Sequence, residues 1–99
     1  MKLKMLITGV SGLLGNNLAY YFKSHNEVLG LYFSNPIMIS GIQTEQCDLT
    51  LKENVSAIRT HFVPDVIIHC TSLANIDQSE KDPELAQRLN IHTTKNIVD

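Results

Sequence analysis

Three glycines at intervals of three, Gly9, Gly12 and Gly15, separate two apolar stretches of different period. Met5, Leu6 and Ile7 run consecutively before them, as a strand covered on both faces requires. Leu13, Leu14, Leu18, Tyr21 and Phe22 follow at helical spacing, which predicts a helix down to about residue 24. A strand that turns through glycines into a helix places free N–H groups and the positive end of the helix dipole at the turn. In that context Gly9 permits the tight turn, Gly12 lets a pyrophosphate approach the backbone, and Gly15 lets the helix pack closely. The strand before and the helix after turn this spacing into a dinucleotide-binding fingerprint. A phosphate loop of the NTPase kind is excluded, because Asn16 and Asn17, not Lys and Ser or Thr, follow Gly15.

The alternation of strand and helix signals continues along the chain. Residues 28–33 predict a second strand, broken by Ser34, Asn35 and Pro36. Residues 37–41 read as a loop and residues 42–47 as a short third strand, followed by Asp48 and Leu49. Thr50 and Glu53 have the spacing of a capping box, opening a helix with Val55, Ile58 and Phe62 on one face. Val66, Ile67 and Ile68 predict a fourth strand, and residues 71–75 a loop. Asp82 and Pro83 then cap and begin a last helix carrying Leu85, Leu89 and Ile97. The fold class expected is α/β, a Rossmann-type doubly wound parallel sheet. No stop signal follows the last helical pattern. Residues 1–99 are therefore expected to form only the N-terminal half of such a domain, with strand one and its neighbours presenting an unpaired edge toward the missing half.

Composition narrows the function. With 99 residues, 43% of them hydrophobic and 18% charged, the chain suits one domain with a packed core. A net charge of -2 excludes the basic footprint of a nucleic-acid binder. No apolar run approaches the ~18 residues of a membrane span, and the N-terminus lacks the apolar core of a signal peptide, so a cytoplasmic protein is expected. Cys47 and Cys70 have neither disulfide-framework nor zinc spacing and read as two ordinary buried thiols. Asp77, Glu80, Asp82 and His92 read as solvated surface, His69 as a hydrogen-bonded core histidine, and no metal site is expected.

The second strand bears on the cofactor. NAD-preferring sites carry an acidic residue at its end, to hold the ribose hydroxyls. Here the residues are Leu31, Tyr32, Phe33, Ser34 and Asn35, and Glu27 lies before the strand. The missing carboxylate leaves room for a 2′-phosphate and leans toward NADP over NAD. No Arg follows to pair with that phosphate; Ser34 and Asn35 offer neutral hydrogen bonds.

Four segments carry a family resemblance in order and spacing: the glycine stretch from Leu6 to Gly15, then Cys47-Asp48-Leu49-Thr50, then Pro64 to Cys70, then Asp82 to Ile91. Together they resemble the extended short-chain dehydrogenases/reductases, and within them the dTDP-4-dehydrorhamnose reductase branch, over essentially the whole chain. The resemblance implies a nucleotide-linked keto sugar as substrate, with a homodimer as the candidate assembly. It implies that Gly9, Gly12 and Gly15 form the cofactor loop, with Leu13 and Leu14 touching the pyrophosphate. Tyr32 stands where NAD-preferring relatives carry Asp, beside Ser34. Asp48 and Leu49 match the pair that lies against adenine, although Asp48 also suits a helix cap. Ser72, Leu73 and Ala74 match the loop bordering the nicotinamide, with Thr71 and Ser72 where relatives have two alanines. Asn90 matches an Asn that organises the site.

The family's chemistry needs a Tyr-x-x-x-Lys pair: the Tyr hydroxyl moves the proton, and the Lys lowers its pKa. Tyr20, Tyr21 and Tyr32 are followed at that spacing by Ser24, His25 and Pro36. No catalytic residue is therefore expected within these 99 residues, which would carry only part of the cofactor site. Three readings of the parent protein follow. One is an NADP- or NAD-dependent reductase of a nucleotide-linked keto sugar. Another is a non-catalytic regulatory relative, of the kind the regulatory subunit of methionine adenosyltransferase represents. The last is a phosphate-binding α/β module without redox work.

Overall fold

The computed structural model describes residues 2–70 together with Lys95 and Ile97. The elements run β1 (Lys4–Thr8), α1 (Leu13–Phe22), β2 (Glu27–Tyr32), β3 (Gln43–Gln46), α2 (Lys52–Phe62) and β4 (Val66–His69). They form one sheet in the order β3-β2-β1-β4, with every pairing parallel. The predicted Rossmann-type architecture is thus present. Ser72, Leu73, Ala74, Asn90, His92 and the carboxylates at 77, 80 and 82 lie outside the described residues.

The apolar runs fall where both faces of the sheet are covered. Met5, Leu6, Ile7 and Thr8 are all buried, because β1 is interior. Alternate residues of the strands feed two separate cores. Leu6, Leu29 and Leu31 join Cys47, Leu49, Val55, Phe62 and Ile97 on the α2 side. Met5, Ile7 and Val28 join Val10, Ala19 and Ile39 on the α1 side. Residues 33–42 are a loop, one residue longer at each end than the predicted strands 28–33 and 42–47 leave for it, and they connect two parallel neighbours without a crossover helix. Ile37, Ile39 and Ile42 pack on the α1-side core in its place. The Thr44 hydroxyl donates to Ile37 O at 2.8 Å, and Lys23 Nζ donates to Ser40 O at 2.6 Å, pinning the loop.

Three expectations need correction. Helix α1 stops two residues early, because the Asn26 side chain donates to Phe22 O at 3.0 Å and its Oδ1 accepts the Leu3 N–H. The capping box does not form. Asp48 Oδ1 takes both the Thr50 N–H, at 3.0 Å, and the Thr50 hydroxyl, at 2.6 Å. The helix begins one residue later, with Leu51 as N-cap and Leu51 O accepting from Asn54 and Val55. Finally, β1 is no edge: it pairs with β2 and β4, and the edges among the described residues are β3 and β4.

Helix α2 ends on Val63 at φ 52, the left-handed region, with its N–H on Arg59 O. Pro64 follows, and Asp65 then joins the chain to β1. Its N–H donates to Lys4 O at 2.7 Å, while its Oδ2 accepts the Lys4 N–H at 2.8 Å.

Candidate functional site at the carboxyl edge of the sheet

Strand order fixes where a ligand can sit. From β1 the chain steps outward to β2 and β3, then returns to the other side of β1 for β4. The connections before and after this reversal lie on opposite faces, so a crevice opens outside the carboxyl ends of β1 and β4, the usual ligand position in such sheets. The glycine loop leaves β1 at that point.

Its geometry separates the three glycines. Gly9 has φ 71, which favours glycine, and its carbonyl accepts the Gly12 N–H at 3.0 Å. A Cβ on Gly15 would collide with the Gly9 carbonyl, so helix and loop touch backbone to backbone there. Gly12 differs. It caps α1 in an ordinary extended conformation, and a Cβ would meet only Gly9 O at 3.4 Å, an unstrained contact. The first intrahelical bond runs from Asn16 N–H to Gly12 O, so the N–H groups of Leu13, Leu14 and Gly15 precede the helical ladder. The first turn holds no acidic residue to occupy this positive end. Leu13 and Leu14 flank it, both exposed.

Two residues of this region have no role in the sequence reading. Gly30 lies beneath the loop, where a Cβ would stand 2.6 Å from Val10 Cγ1. Its absence lets Val10 bury completely and donate its N–H to Leu31 O at 3.1 Å, tying the loop to β2. The signal was a glycine inside an apolar strand pattern, which marks close backbone approach. Thr8 is the other, fully buried at the end of β1. Its Oγ1 accepts the Cys70 N–H at 3.0 Å and lies 2.7 Å from His69 Nδ1. The hydroxyl and Nδ1 share a hydrogen bond whose direction follows the tautomer of the ring. Burial pushes the His69 imidazole below its ordinary pKa, in keeping with a neutral ring. A polar residue closing an apolar run directly before Gly9 was the available signal.

The other expected residues divide. Tyr32 is half-buried against the α1-side core, Ser34 is exposed, and Asp48 is half-buried at the end of β3. All three stand at the same edge as the glycine loop, because the strands are parallel. Asp48 Oδ1 is occupied by Thr50. The Leu49 side chain is buried in the α2-side core and so faces away from the crevice. Cys47 is buried and Cys70 half-buried, both free. Burial, then the nearby Asp48 and Glu45 carboxylates, push the Cys47 thiol up, and burial does the same at Cys70. Among the described residues no group of three or more His, Cys, Asp or Glu could hold a metal ion. Nor is any helix among them long and apolar enough to cross a membrane.

Known proteins resemble this chain in both sequence and structure. It is 36% identical over 95 residues to methionine adenosyltransferase 2 subunit beta of Xenopus laevis, covering 95% of this chain and 27% of that protein. It is 31% identical over 98 residues to dTDP-4-dehydrorhamnose reductase of Aggregatibacter actinomycetemcomitans, covering 97% and 30%. The UDP-glucose 4-epimerase of Thermus thermophilus, solved as a complex with NAD, superposes with a TM-score of 0.83 at 24% identity, covering 96% of this chain and 32% of that one. The GalE-like L-threonine dehydrogenase of Cupriavidus necator, in its holo form, gives 0.79 at 20%, covering 95% and 31%. These two structures establish the shared fold. The chain spans 27% of the length of the first of these relatives. The model of the RmlD substrate binding domain matches residues 2–99, and the chain belongs to that family.

Proposed function

We propose that this chain is the cofactor-binding N-terminal part of an NAD(P)-dependent oxidoreductase acting on a nucleotide-linked keto sugar, in the manner of dTDP-4-dehydrorhamnose reductase. The observation that supports it best is the contrast between Gly15 and Gly12. The fold itself demands a glycine at 15, whereas at 12 it leaves room for a side chain. A glycine at 12 keeps that space clear for a group from outside the chain, next to the open helix N-terminus. The nicotinamide ring, when bound, supplies the hydride acceptor or donor. In this reading the N–H groups of Leu13, Leu14 and Gly15 hold the pyrophosphate, and Gly12 gives it room to approach. Tyr32 and Ser34 border the adenosine ribose, Asp48 and the Leu49 backbone lie by the adenine, and Ser72, Leu73 and Ala74 border the nicotinamide. No carboxylate stands at the end of β2, so the 2′-phosphate of NADP is admitted as well as the free ribose of NAD.

The test is a substitution that improves the fold and spoils the site. Asp is a better N-cap than Gly by a few tenths of a kcal/mol and complements the helix dipole. Gly12→Asp in the full-length protein is therefore expected to hold or raise Tm while lowering NADPH affinity at least 100-fold, because its carboxylate meets the pyrophosphate. Unchanged affinity, measured by fluorescence titration, would sink the reading.

A second reading is favoured by the 36% identity to methionine adenosyltransferase 2 subunit beta: a regulatory relative that keeps the dinucleotide fold without the reaction. Reading the frame downstream of Asp99 for Tyr-x-x-x-Lys, and assaying the full protein for NADPH-dependent reduction of a nucleotide-linked 4-keto sugar, separates the two. The pair together with turnover supports the reductase; tight NADPH binding without the pair or turnover supports the regulator.

A further inference from the structure

We infer that Gly30 is a positioning residue for the cofactor: the notch it leaves in β2 seats the Val10 side chain, and that seat sets the height of the glycine loop against the pyrophosphate. This rests on the dinucleotide reading above.

The notch belongs to the α1 face of the sheet. On that face of β2, Val28 is buried and Tyr32 half-buried, both in the α1-side core, and Gly30 between them carries no side chain. Val10 fills the gap. It comes from the glycine loop, two residues beyond β1, and is fully buried in the same core as Met5, Ile7 and Ala19. Its N–H donates to Leu31 O at 3.1 Å, so its backbone and its side chain are held by adjacent residues of β2. A Cβ at position 30 would stand 2.6 Å from Cγ1 and 3.0 Å from Cγ2 of Val10. Both branches face the notch, so rotation about the single side-chain torsion leaves a methyl in the way. Val10 could give way only by moving its backbone.

That backbone is confined as well. A Cβ on Gly15 would come within 3.1 Å of Val10 Cα, so Val10 packs against two glycines, one of β2 and one of the first turn of α1. Helix α1 lies on the same face of the sheet, and lifting Val10 off β2 therefore drives it toward that turn. The N–H groups of Leu13, Leu14 and Gly15 belong to the turn and shift with it. Gly12 thus leaves room for the ligand from outside, while Gly30 leaves room from beneath for the residue that seats the loop. A glycine inside a strand weakens the strand, and a close backbone approach is the usual reason for its presence. Here what approaches is the loop itself.

The experiment uses the full-length protein and measures dissociation constants for NADH and NADPH well below each variant's Tm, in Gly30→Ala, Val10→Ala and the two combined. Gly30→Ala overfills the notch and is expected to weaken binding by about 10-fold. Val10→Ala leaves the notch empty and is expected to weaken it by about 3-fold. In the combined variant a Cβ at position 30 meets only the Cβ at position 10, 3.2 Å away. Its affinity is therefore expected to match that of Val10→Ala rather than to fall by the product, about 30-fold. Val28→Ala removes the same volume from the same core near the start of β2, and is expected to lower Tm with affinity unchanged. If Gly30→Ala does not fold, the combined variant is compared with Val10→Ala: equal affinity supports the seat, and a further loss of about 10-fold overturns it. Gly30→Ala or Val10→Ala at wild-type affinity, a combined variant at the product, or an equal loss of affinity in Val28→Ala and Gly30→Ala would overturn this proposal alone. A wild-type protein that binds neither dinucleotide would overturn the dinucleotide reading, and the proposal with it.

Discussion

Single residues in this chain carry conformational demands that can be tested one at a time. Val63 ends α2 in the left-handed region, where a β-branched side chain is strained, and it is exposed. Val63→Gly is expected to raise stability by about 1 kcal/mol, read from urea unfolding; a loss would mean that its side chain packs more than its exposure suggests. Thr8 has the opposite character, a buried hydroxyl with partners on β4. Thr8→Val strands the Cys70 N–H and His69 Nδ1 and is expected to cost about 1–3 kcal/mol, with Thr8→Ser recovering most of it. His69 gives the pH dependence. Its pKa is lowered in the folded state, so between the folded value and the unfolded value of about 6.5 the unfolded chain binds more protons. Its contribution is therefore complete above about pH 6.5 and is lost as pH falls through the folded value. A Tm profile from pH 8 to 5 should decline less steeply in His69→Gln than in wild type.

At the scale of elements, legibility followed the strength of the local signal. Strands β1, β2 and β4 were readable because parallel strands buried on both faces need consecutive apolar residues, and β3 was readable from its flanks. The glycine loop was readable because its spacing lies between two different periods. The start of α2 was not, because Thr50 and Glu53 have the spacing of a cap whose hydroxyl is claimed by Asp48, two residues upstream. Local side-chain bonds of this kind compete with capping and leave no trace in the spacing. The roles of Gly30 and Thr8 also escaped, since both depend on partners distant in sequence. The join between β1 and β4 belongs to the same class: Asp65 meets Lys4 through two backbone-directed bonds. Asp65→Ala is expected to cost about 1 kcal/mol and to loosen the start of β4, seen as faster amide exchange at residues 65–67.

The whole molecule has an asymmetric architecture. Strands β1 and β2 are paired on both sides, while β3 and β4 are edges among the described residues. Among the described residues, the α1 side is covered by one helix and a pinned loop, the α2 side by a helix and by Ile97 from far along the chain. Amide protection is expected to be greatest in β1 and β2 and to decline toward both edges, with the glycine loop becoming protected only when a dinucleotide is added. Equal protection across the sheet would mean that β3 and β4 have acquired further partners.

The unequal glycines of the loop also mark where selection acts. Every missense change of a glycine codon adds at least a Cβ. In a randomised library screened for folding alone, position 15 is expected to return glycine and position 12 a mixture that includes Ser, Asn and Asp. Screened for dinucleotide binding, both should return glycine. Comparing the two screens would then distinguish, within three residues of one turn, a position kept for architecture from a position kept for a ligand.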